Sequence, residues 1–168
     1  MGGLKLMNIV LIGMPGAGKS TLGVLLAKAL GIDFVDTDIL IQKSEDKLLQ
    51  DIIDSDGIDT FLQIEESILL NLNIENSVIA TGGSAVYSEK AMINLKENGQ
   101  FFYLYAPFVE IKKRLDNIKT RGIIIKKGKC LKEVFEERLP LYQKYAEKVI
   151  NCYDNDIEQS VNEIIKKL

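Results

Sequence analysis

Short apolar runs alternate with longer stretches of helical periodicity along the whole chain. Five runs have the length and the branched or aromatic composition of buried strands, and they are Asn8–Ile12, Phe34–Val35, Ser77–Ala80, Phe101–Tyr105 and Val149–Ile150. Helices are predicted over 21–30, from 39 to about 53 with a break near Ser44, after Thr60, and over 88–98, 108–116, 131–146 and 157–168. Strands and helices that alternate at this spacing predict an α/β protein with a parallel sheet.

Individual residues predict where the helices begin and end. Gly31 is placed to end the first helix, and Thr60 is predicted to cap the helix that follows it. Ser88 is predicted to cap a further helix that Gly99 ends. Pro140 lies inside the pattern of 131–146 and should kink or restart that helix.

The first predicted strand leads into a glycine-rich loop, 13–20, which reads GMPGAGKS and matches G-x-x-x-x-G-K-[ST] at every specified position. The strand before it and the helix after it are the context that a phosphate-binding loop needs, because the glycines let backbone N–H groups turn inward at the positive end of a helix. The predicted nucleotide-binding residues here are Gly13, Gly16, Ala17, Gly18, Lys19, Ser20 and Thr21. Lys19 supplies a charge for the phosphates and Ser20 a hydroxyl for Mg²⁺. The alternative is an ordinary glycine-rich turn.

Two carboxylates, Asp36 and Asp38, end the second predicted strand. Ligands of parallel sheets bind beyond the carboxyl ends of the strands, so both side chains are expected in the same cleft as the loop. One carboxylate can order Mg²⁺, and the other can accept the proton of a hydroxyl that attacks a phosphate. The alternative is that Asp38 only caps the next helix.

Two further segments are candidates for the same cleft. Gly82 and Gly83 follow a buried strand and permit close approach of a ligand or of neighbouring backbone, although a plain turn explains them as well. The segment of about 116–129 lacks a clear period and contains Arg121. It is a candidate lid that brings Arg121 to the transferred phosphoryl group, with a simple surface loop as the alternative.

Length and composition indicate one domain over residues 1–168, without a linker or repeat. A formal charge of −3 and a pI near 5.1 argue against a nucleic-acid-binding protein with a broad basic surface. No apolar stretch approaches the roughly 18 residues of a membrane span, and neither a signal peptide nor a myristoylation pattern is evident. Cys130 and Cys152 without any histidine make a zinc site or a disulfide framework unexpected. We expect a cytoplasmic protein, and a monomer.

The residue types present also restrict the chemistry. Without histidine, a general base must be a carboxylate, lysine, tyrosine or cysteine. The chain has 18 lysines but three arginines, Arg114, Arg121 and Arg138. Because lysine is the routine surface cation here, we expect these arginines where a planar fork donor is needed, although they can also be ordinary surface residues.

Taken together, these motifs resemble those of shikimate kinase, in the nucleoside-monophosphate-kinase-like group of P-loop folds. The matching features are, in order, GMPGAGKST followed by Gly23, DTD at 36–38, TGG at 81–83, Arg114 and Arg121 beside the lid, and RLPLY at 138–142. The resemblance covers nearly the whole chain. It implies a three-layer P-loop NTPase fold, with a five-stranded parallel sheet and helices on both faces. It also implies phosphorylation of the 3-hydroxyl of shikimate by ATP and Mg²⁺.

On the nucleotide side, the resemblance implies that Lys19 and the surrounding backbone hold the phosphates. Ser20 and Asp36 would bind Mg²⁺. Arg114 would lie over the adenine, and Arg121 would reach a phosphate from the lid.

On the substrate side, the resemblance implies that Asp38 binds the attacking hydroxyl and acts as its base. Gly82 and Gly83 would line the substrate pocket. Arg138 would bind the substrate carboxylate.

Three positions depart from the family pattern. The motif F-R-x-x-E reads FLQIE at 61–65, so Leu62 replaces an arginine that binds the carboxylate while Glu65 remains. Ser84 stands at the third position of a glycine triplet, and the lid motif R-P-L-L reads RGII at 121–124. Losing one member of a buried charged pair typically costs about 2–5 kcal/mol, which corresponds to binding weaker by roughly tens- to thousands-fold.

Two alternatives to a shikimate kinase therefore stay open. One is a P-loop kinase of another small hydroxylated metabolite. The other is a nucleotide-binding switch without an acceptor, although the chain lacks the Asn-Lys-x-Asp motif of GTPases.

Overall fold

The computed structural model describes residues 7–116 and 123–168. Its strands are β1 (Asn8–Ile12), β2 (Asp33–Asp36), β3 (Ser77–Ala80), β4 (Gly99–Tyr105) and β5 (Lys148–Asn151). Its helices are α1 (Lys19–Leu30), α2 (Thr37–Glu45), α3 (Leu49–Asp56), α4 (Ile58–Leu70), α5 (Glu89–Glu97), α6 (Phe108–Asp116), α7 (Leu131–Tyr145) and α8 (Ile157–Lys167), with a short 3₁₀ helix at Ala85–Tyr87. The predicted α/β organisation is confirmed.

The five strands form one sheet in the order β2-β3-β1-β4-β5, and every neighbouring pair is parallel. All residues of β1 and β3 are buried, as expected of inner strands covered by helices on both faces. Because β2, β3 and β1 are adjacent, the segments that follow Asp36, Ala80 and Ile12 leave the sheet at the same edge. The three predicted site segments therefore meet there.

Two of the predicted helix ends are wrong. Thr60 does not cap a helix, because α4 begins at Ile58 with Gly57 as its cap at φ 88°. Gly99 does not end α5, whose cap is Asn98, and instead begins β4. A Cβ at Gly99 would lie 2.7 Å from both Leu95 O and Val10 Cγ2, so this glycine allows the strand to pass close to its neighbours.

Other predicted boundaries are confirmed. Gly31 ends α1 in the left-handed conformation, and the Ser88 hydroxyl accepts a hydrogen bond from Ala91 N–H at the start of α5. The interruption expected near Ser44 lies between α2 and α3. By contrast, the restart predicted at Pro140 is wrong, since α7 continues through this residue.

A second, smaller apolar cluster lies beside the main core and consists of Ile41, Ile52, Phe61 and Ile124. It joins α2, α3 and α4 to the described end of the predicted lid segment. Within the described parts of the chain, no helix has both the length and the apolar character to cross a membrane.

Candidate active site

The glycine-rich loop has the backbone conformation that its sequence predicts. Gly16 and Gly18 have φ of 83° and 96°, values that residues with a Cβ rarely adopt. The Lys19 ammonium is buried and donates hydrogen bonds to Gly13 O at 2.7 Å and Met14 O at 2.9 Å. The loop thus curves around its own lysine at the N-terminus of α1, where the helix dipole adds positive potential.

Ser20 and Asp36 meet directly at this loop. The Ser20 hydroxyl donates to Asp36 Oδ2 at 2.6 Å, and Asp36 Oδ1 accepts from Asp38 N–H at 3.0 Å. Asp36 is therefore the cap of α2, and the alternative in which Asp38 caps this helix is wrong. The hydroxyl and carboxylate oxygens are ligands that Mg²⁺ prefers, and two protein ligands suffice when phosphates and waters supply the rest.

A cavity of about 360 Å³ opens beside these residues, at the carboxyl ends of β1, β2 and β3. Its lining includes Lys19, Ser20, Asp36, Asp38, Gly82, Gly83 and Arg138, all predicted from the sequence. It also includes Pro15, Phe61, Ser84 and Ile124, which the sequence does not single out for this cavity. The predicted phosphate and substrate groups are thus together in one cleft.

Both glycines after β3 are required by close contacts. A Cβ at Gly82 would lie 2.4 Å from Glu65 Oε1 and 2.8 Å from Asp38 Oδ1. A Cβ at Gly83 would lie 2.5 Å from Pro15 Cδ and 3.1 Å from an Arg138 nitrogen. Gly82 and Gly83 therefore let two carboxylates, the phosphate loop and a guanidinium converge, so the plain-turn alternative does not account for them.

Arg138 lies in the wall of this cavity with 1% of its surface exposed. Its guanidinium donates to Tyr87 Oη at 3.1 Å and to Ile124 O at 3.0 Å, and its Cζ lies 5.1 Å from the centre of the Tyr87 ring. Tyr142 fixes the adjacent backbone by donating to Gly83 O at 2.6 Å. The guanidinium is thus held in place by these contacts, and Arg138 is not a surface residue.

Glu65 of α4 is the buried carboxylate behind Gly82. The Ser84 hydroxyl donates to its Oε2 at 2.6 Å, while its Oε1 has no hydrogen-bond partner within the described residues. Burial raises the pKa of Glu65 to about 7. The charge of Asp38 adds to this rise, whereas the Ser84 hydrogen bond and the charges of Arg138 and Lys19 oppose it.

This pKa predicts an effect on stability. The pKa of Glu65 is about 7 in the folded protein against an ordinary 4.5, so the folded state retains a proton that the unfolded state loses. Stability contributed by this proton is therefore present at low pH and is lost as the pH rises from about 4.5 to 7. By linkage, the loss between pH 5 and pH 8 is about 2 kcal/mol. Glu65→Gln removes the titrating group. From pH 5 to pH 8, the free energy of unfolding of this variant, relative to that of the native chain, should therefore rise by this amount when measured by urea unfolding. Equal differences at both pH values would contradict the assignment.

Arg114 lies on the opposite side of the loop. It forms an ion pair with Glu110 at 3.0 Å and donates to Gly16 O at 3.2 Å and to Cys152 O at 3.0 Å. It also lines a second cavity of about 750 Å³ with Gly16, Gly18 and Thr21. Arg114 therefore braces the phosphate loop next to a space that is open toward α8.

Comparison with known proteins agrees with this geometry. Residues 15–168 match the family model described as shikimate kinase. A shikimate kinase of Persephonella marina is 36% identical over 162 residues, which cover 96% of this chain and 98% of that protein. The chain belongs to the shikimate kinase family.

Further members of the shikimate kinase family support this assignment. A shikimate kinase of Clostridium botulinum (strain Okra) is 40% identical over 163 residues, covering 95% of this chain and 94% of that protein. The structure of shikimate kinase from Acinetobacter baumannii in complex with shikimate superposes with a TM-score of 0.88 at 30% identity, covering 96% of this chain and 92% of that one. The predicted P-loop fold is confirmed, and the chain is a small-molecule kinase that phosphorylates an alcohol group.

The positions at which we expect this chain to depart from the family pattern have distinct places in the structure. Leu62 is half-buried on α4 and lines small cavities beside the main one. Ile124, from the altered lid motif, is buried in the cavity wall and accepts the Arg138 hydrogen bond. Arg121 and the rest of 117–122 lie outside the described residues, so the predicted role of Arg121 is untested.

Proposed function

We propose that this chain transfers the γ-phosphoryl group of ATP to the 3-hydroxyl of shikimate. The observation that carries the proposal is the convergence of the phosphate loop, Asp38 and Arg138 on one cavity of about 360 Å³. Family membership supports the same acceptor, because a related protein is described in complex with shikimate. We propose further that residues 1–168 form a single kinase domain, with the lid at about 116–129.

The nucleotide is held by the loop and its neighbours in this proposal. Backbone groups at Gly13, Gly16, Ala17, Gly18 and Thr21 surround the phosphates, and Lys19 exchanges its loop carbonyls for phosphate oxygens. Arg114 faces the adenine from the larger cavity, and Arg121 reaches a phosphate from the lid.

Ser20 and Asp36 are the residues that would hold Mg²⁺. Their oxygens are hard ligands of the type that this ion prefers, and they already lie within hydrogen-bond distance of each other. The bound ion would neutralise charge on the β- and γ-phosphates.

Asp38 and Arg138 act on the acceptor. Arg138 binds the shikimate carboxylate as a planar donor, which orients the 3-hydroxyl toward Asp38. The hydroxyl proton passes to the Asp38 carboxylate as the hydroxyl oxygen bonds to the γ-phosphorus. The bond from this phosphorus to the bridging oxygen breaks at the same time, and ADP leaves.

One observation favours a second candidate, a kinase of another small hydroxylated metabolite. Leu62 stands where the family pattern has an arginine for the substrate carboxylate, and it offers no charge. An acceptor that lacks a carboxylate at this position would not need a second cation from residue 62. A nucleotide-binding switch without an acceptor gains no support from a cavity with these polar groups.

We expect shikimate to stimulate ADP formation in the presence of Mg²⁺. The experiment measures ADP release with shikimate and with a panel of other hydroxylated acids and polyols, each with and without Mg²⁺. If millimolar shikimate did not accelerate turnover but another compound did, shikimate would be the wrong acceptor, and the assignment as a small-molecule kinase would hold. Acceleration by none would favour the switch. The monomeric state and the cytoplasmic location remain predictions.

A further inference from the structure

The hydrogen bond between Ser84 and Glu65 brings together two segments of the site. Glu65 lies in the middle of α4, and Ser84 immediately precedes the 3₁₀ helix that follows Gly82 and Gly83. Both residues are buried, with 5% of Ser84 and 2% of Glu65 exposed. A hydroxyl that donates to a carboxylate at 2.6 Å in such a setting forms a strong, charge-assisted bond whenever the carboxylate is ionised.

The backbone does not explain why position 84 carries a serine. Ser84 has φ −92° and ψ −7°, in the right-handed region that any residue adopts. A glycine is therefore unnecessary here, unlike at Gly82 and Gly83, where a Cβ would meet neighbouring atoms. Because the backbone places no constraint on the residue type at position 84, the contact of the serine hydroxyl is the feature that needs an explanation.

Position 62 supplies the other half of the argument. Leu62 precedes Glu65 by three residues on α4, a spacing at which side chains are neighbours on one helix surface. Both residues line one small cavity of about 170 Å³, together with Ser84. An arginine at position 62, as in the pattern F-R-x-x-E, would place a charge partner next to Glu65, whereas leucine does not. In this chain the Glu65 carboxylate accepts a hydrogen bond from the Ser84 hydroxyl, in addition to the charges of Arg138 and Lys19 that act on it.

The orientation of Glu65 matters to the acceptor cavity. Its Oε1 and Asp38 Oδ1 both lie within 3 Å of the point where a Gly82 Cβ would be. A rotation of the Glu65 carboxylate would therefore change the wall against Asp38 and Gly82. Ser84 limits that rotation by holding Oε2.

We propose that Ser84 is a positioning residue of the acceptor cavity, and that Leu62 and Ser84 form a compensating pair in which the serine hydroxyl fixes the Glu65 carboxylate in place of an arginine. The proposal relies on the proposed function only for the identity of the acceptor. Its structural part concerns Ser84, Glu65 and position 62 and holds for any acceptor.

A double-mutant cycle tests the pair without any acceptor. The variants are Ser84→Ala, Leu62→Arg and the double variant, and the measurement is the pKa of Glu65 by ¹³C NMR, with Glu65→Gln to assign the signal. We expect Ser84→Ala to raise this pKa, because the lost hydrogen bond favoured the ionised form. Leu62→Arg should lower the pKa, and Ser84→Ala should then change it less. An equal change in both backgrounds, or none, would overturn the proposal.

Kinetics with the acceptor separate positioning from a structural role. Ser84→Ala should raise the acceptor KM about tenfold, the usual scale for a hydrogen bond to a charged group, and leave the ATP KM unchanged. The control is Ser88→Ala, which removes a similar Ser88–Glu66 hydrogen bond and the cap of α5, but does not line the acceptor cavity and should leave the acceptor KM within about twofold. Equal effects of both serine variants on KM would overturn the positioning role.

Discussion

Replacing Asp38 with asparagine is expected to slow phosphoryl transfer by about 10²–10⁴-fold, the range that a general base contributes. Asparagine keeps the shape of the side chain but cannot accept the proton of the attacking hydroxyl. ATP affinity should stay nearly unchanged, because in the proposed function the loop backbone and Lys19 hold the phosphates, whereas Asp38 contacts the acceptor hydroxyl. Single-turnover transfer and ATP titration measure the two quantities separately.

Asp33→Asn is the matched control for this variant. Asp33 begins the same strand, β2, but its side chain is exposed and does not line the cavity. It should keep full activity. If Asp38→Asn retained most of the turnover, the assignment of Asp38 as the base would be wrong.

The sequence alone predicts those parts of this protein whose physics is local. The conformation of 13–20 follows from its glycines and from the strand and helix that flank it, and the structure has this conformation. The buried strands β1 and β3 are equally readable, since each is a short apolar run between polar segments. Residues after neighbouring parallel strands must meet at one edge, so the convergence of Asp38 with the loop was also predictable.

Contacts between distant segments could not be predicted in the same way. Neither the contact of Arg138 with Ile124 nor that of Ser84 with Glu65 has a periodic signal, because each joins parts of the chain that only the fold brings together. The start of α4 was misplaced because Thr60 is a good cap by type, whereas the positive φ of Gly57 decides the boundary.

The departures from the family pattern illustrate the same limit. From the sequence, Leu62 and Ser84 are two separate losses, a missing arginine and a missing glycine. In the structure both residues line one small cavity with Glu65, and we propose that Ser84 compensates for the missing arginine. A sequence pattern considers each position separately. The free-energy cost of burying the Glu65 carboxylate, however, depends on the group that lies next to it.

Replacing Lys19 with methionine is expected to reduce turnover at saturating ATP by about 10²–10³-fold, the range for removing one preorganised group that stabilises developing charge. Methionine preserves the length and apolar contacts of the side chain but provides no charge for the phosphates. It also leaves the carbonyls of Gly13 and Met14 without the ammonium that they accept from in this structure. Steady-state kinetics and ATP binding by calorimetry measure the effect.

Lys28→Met is the matched control, because Lys28 is exposed in the last turn of the same helix and should be replaceable without loss. Unchanged turnover and ATP affinity in Lys19→Met would contradict a phosphate role for the loop, whereas a loss confined to Lys19 would place the transferred group at the N-terminus of α1.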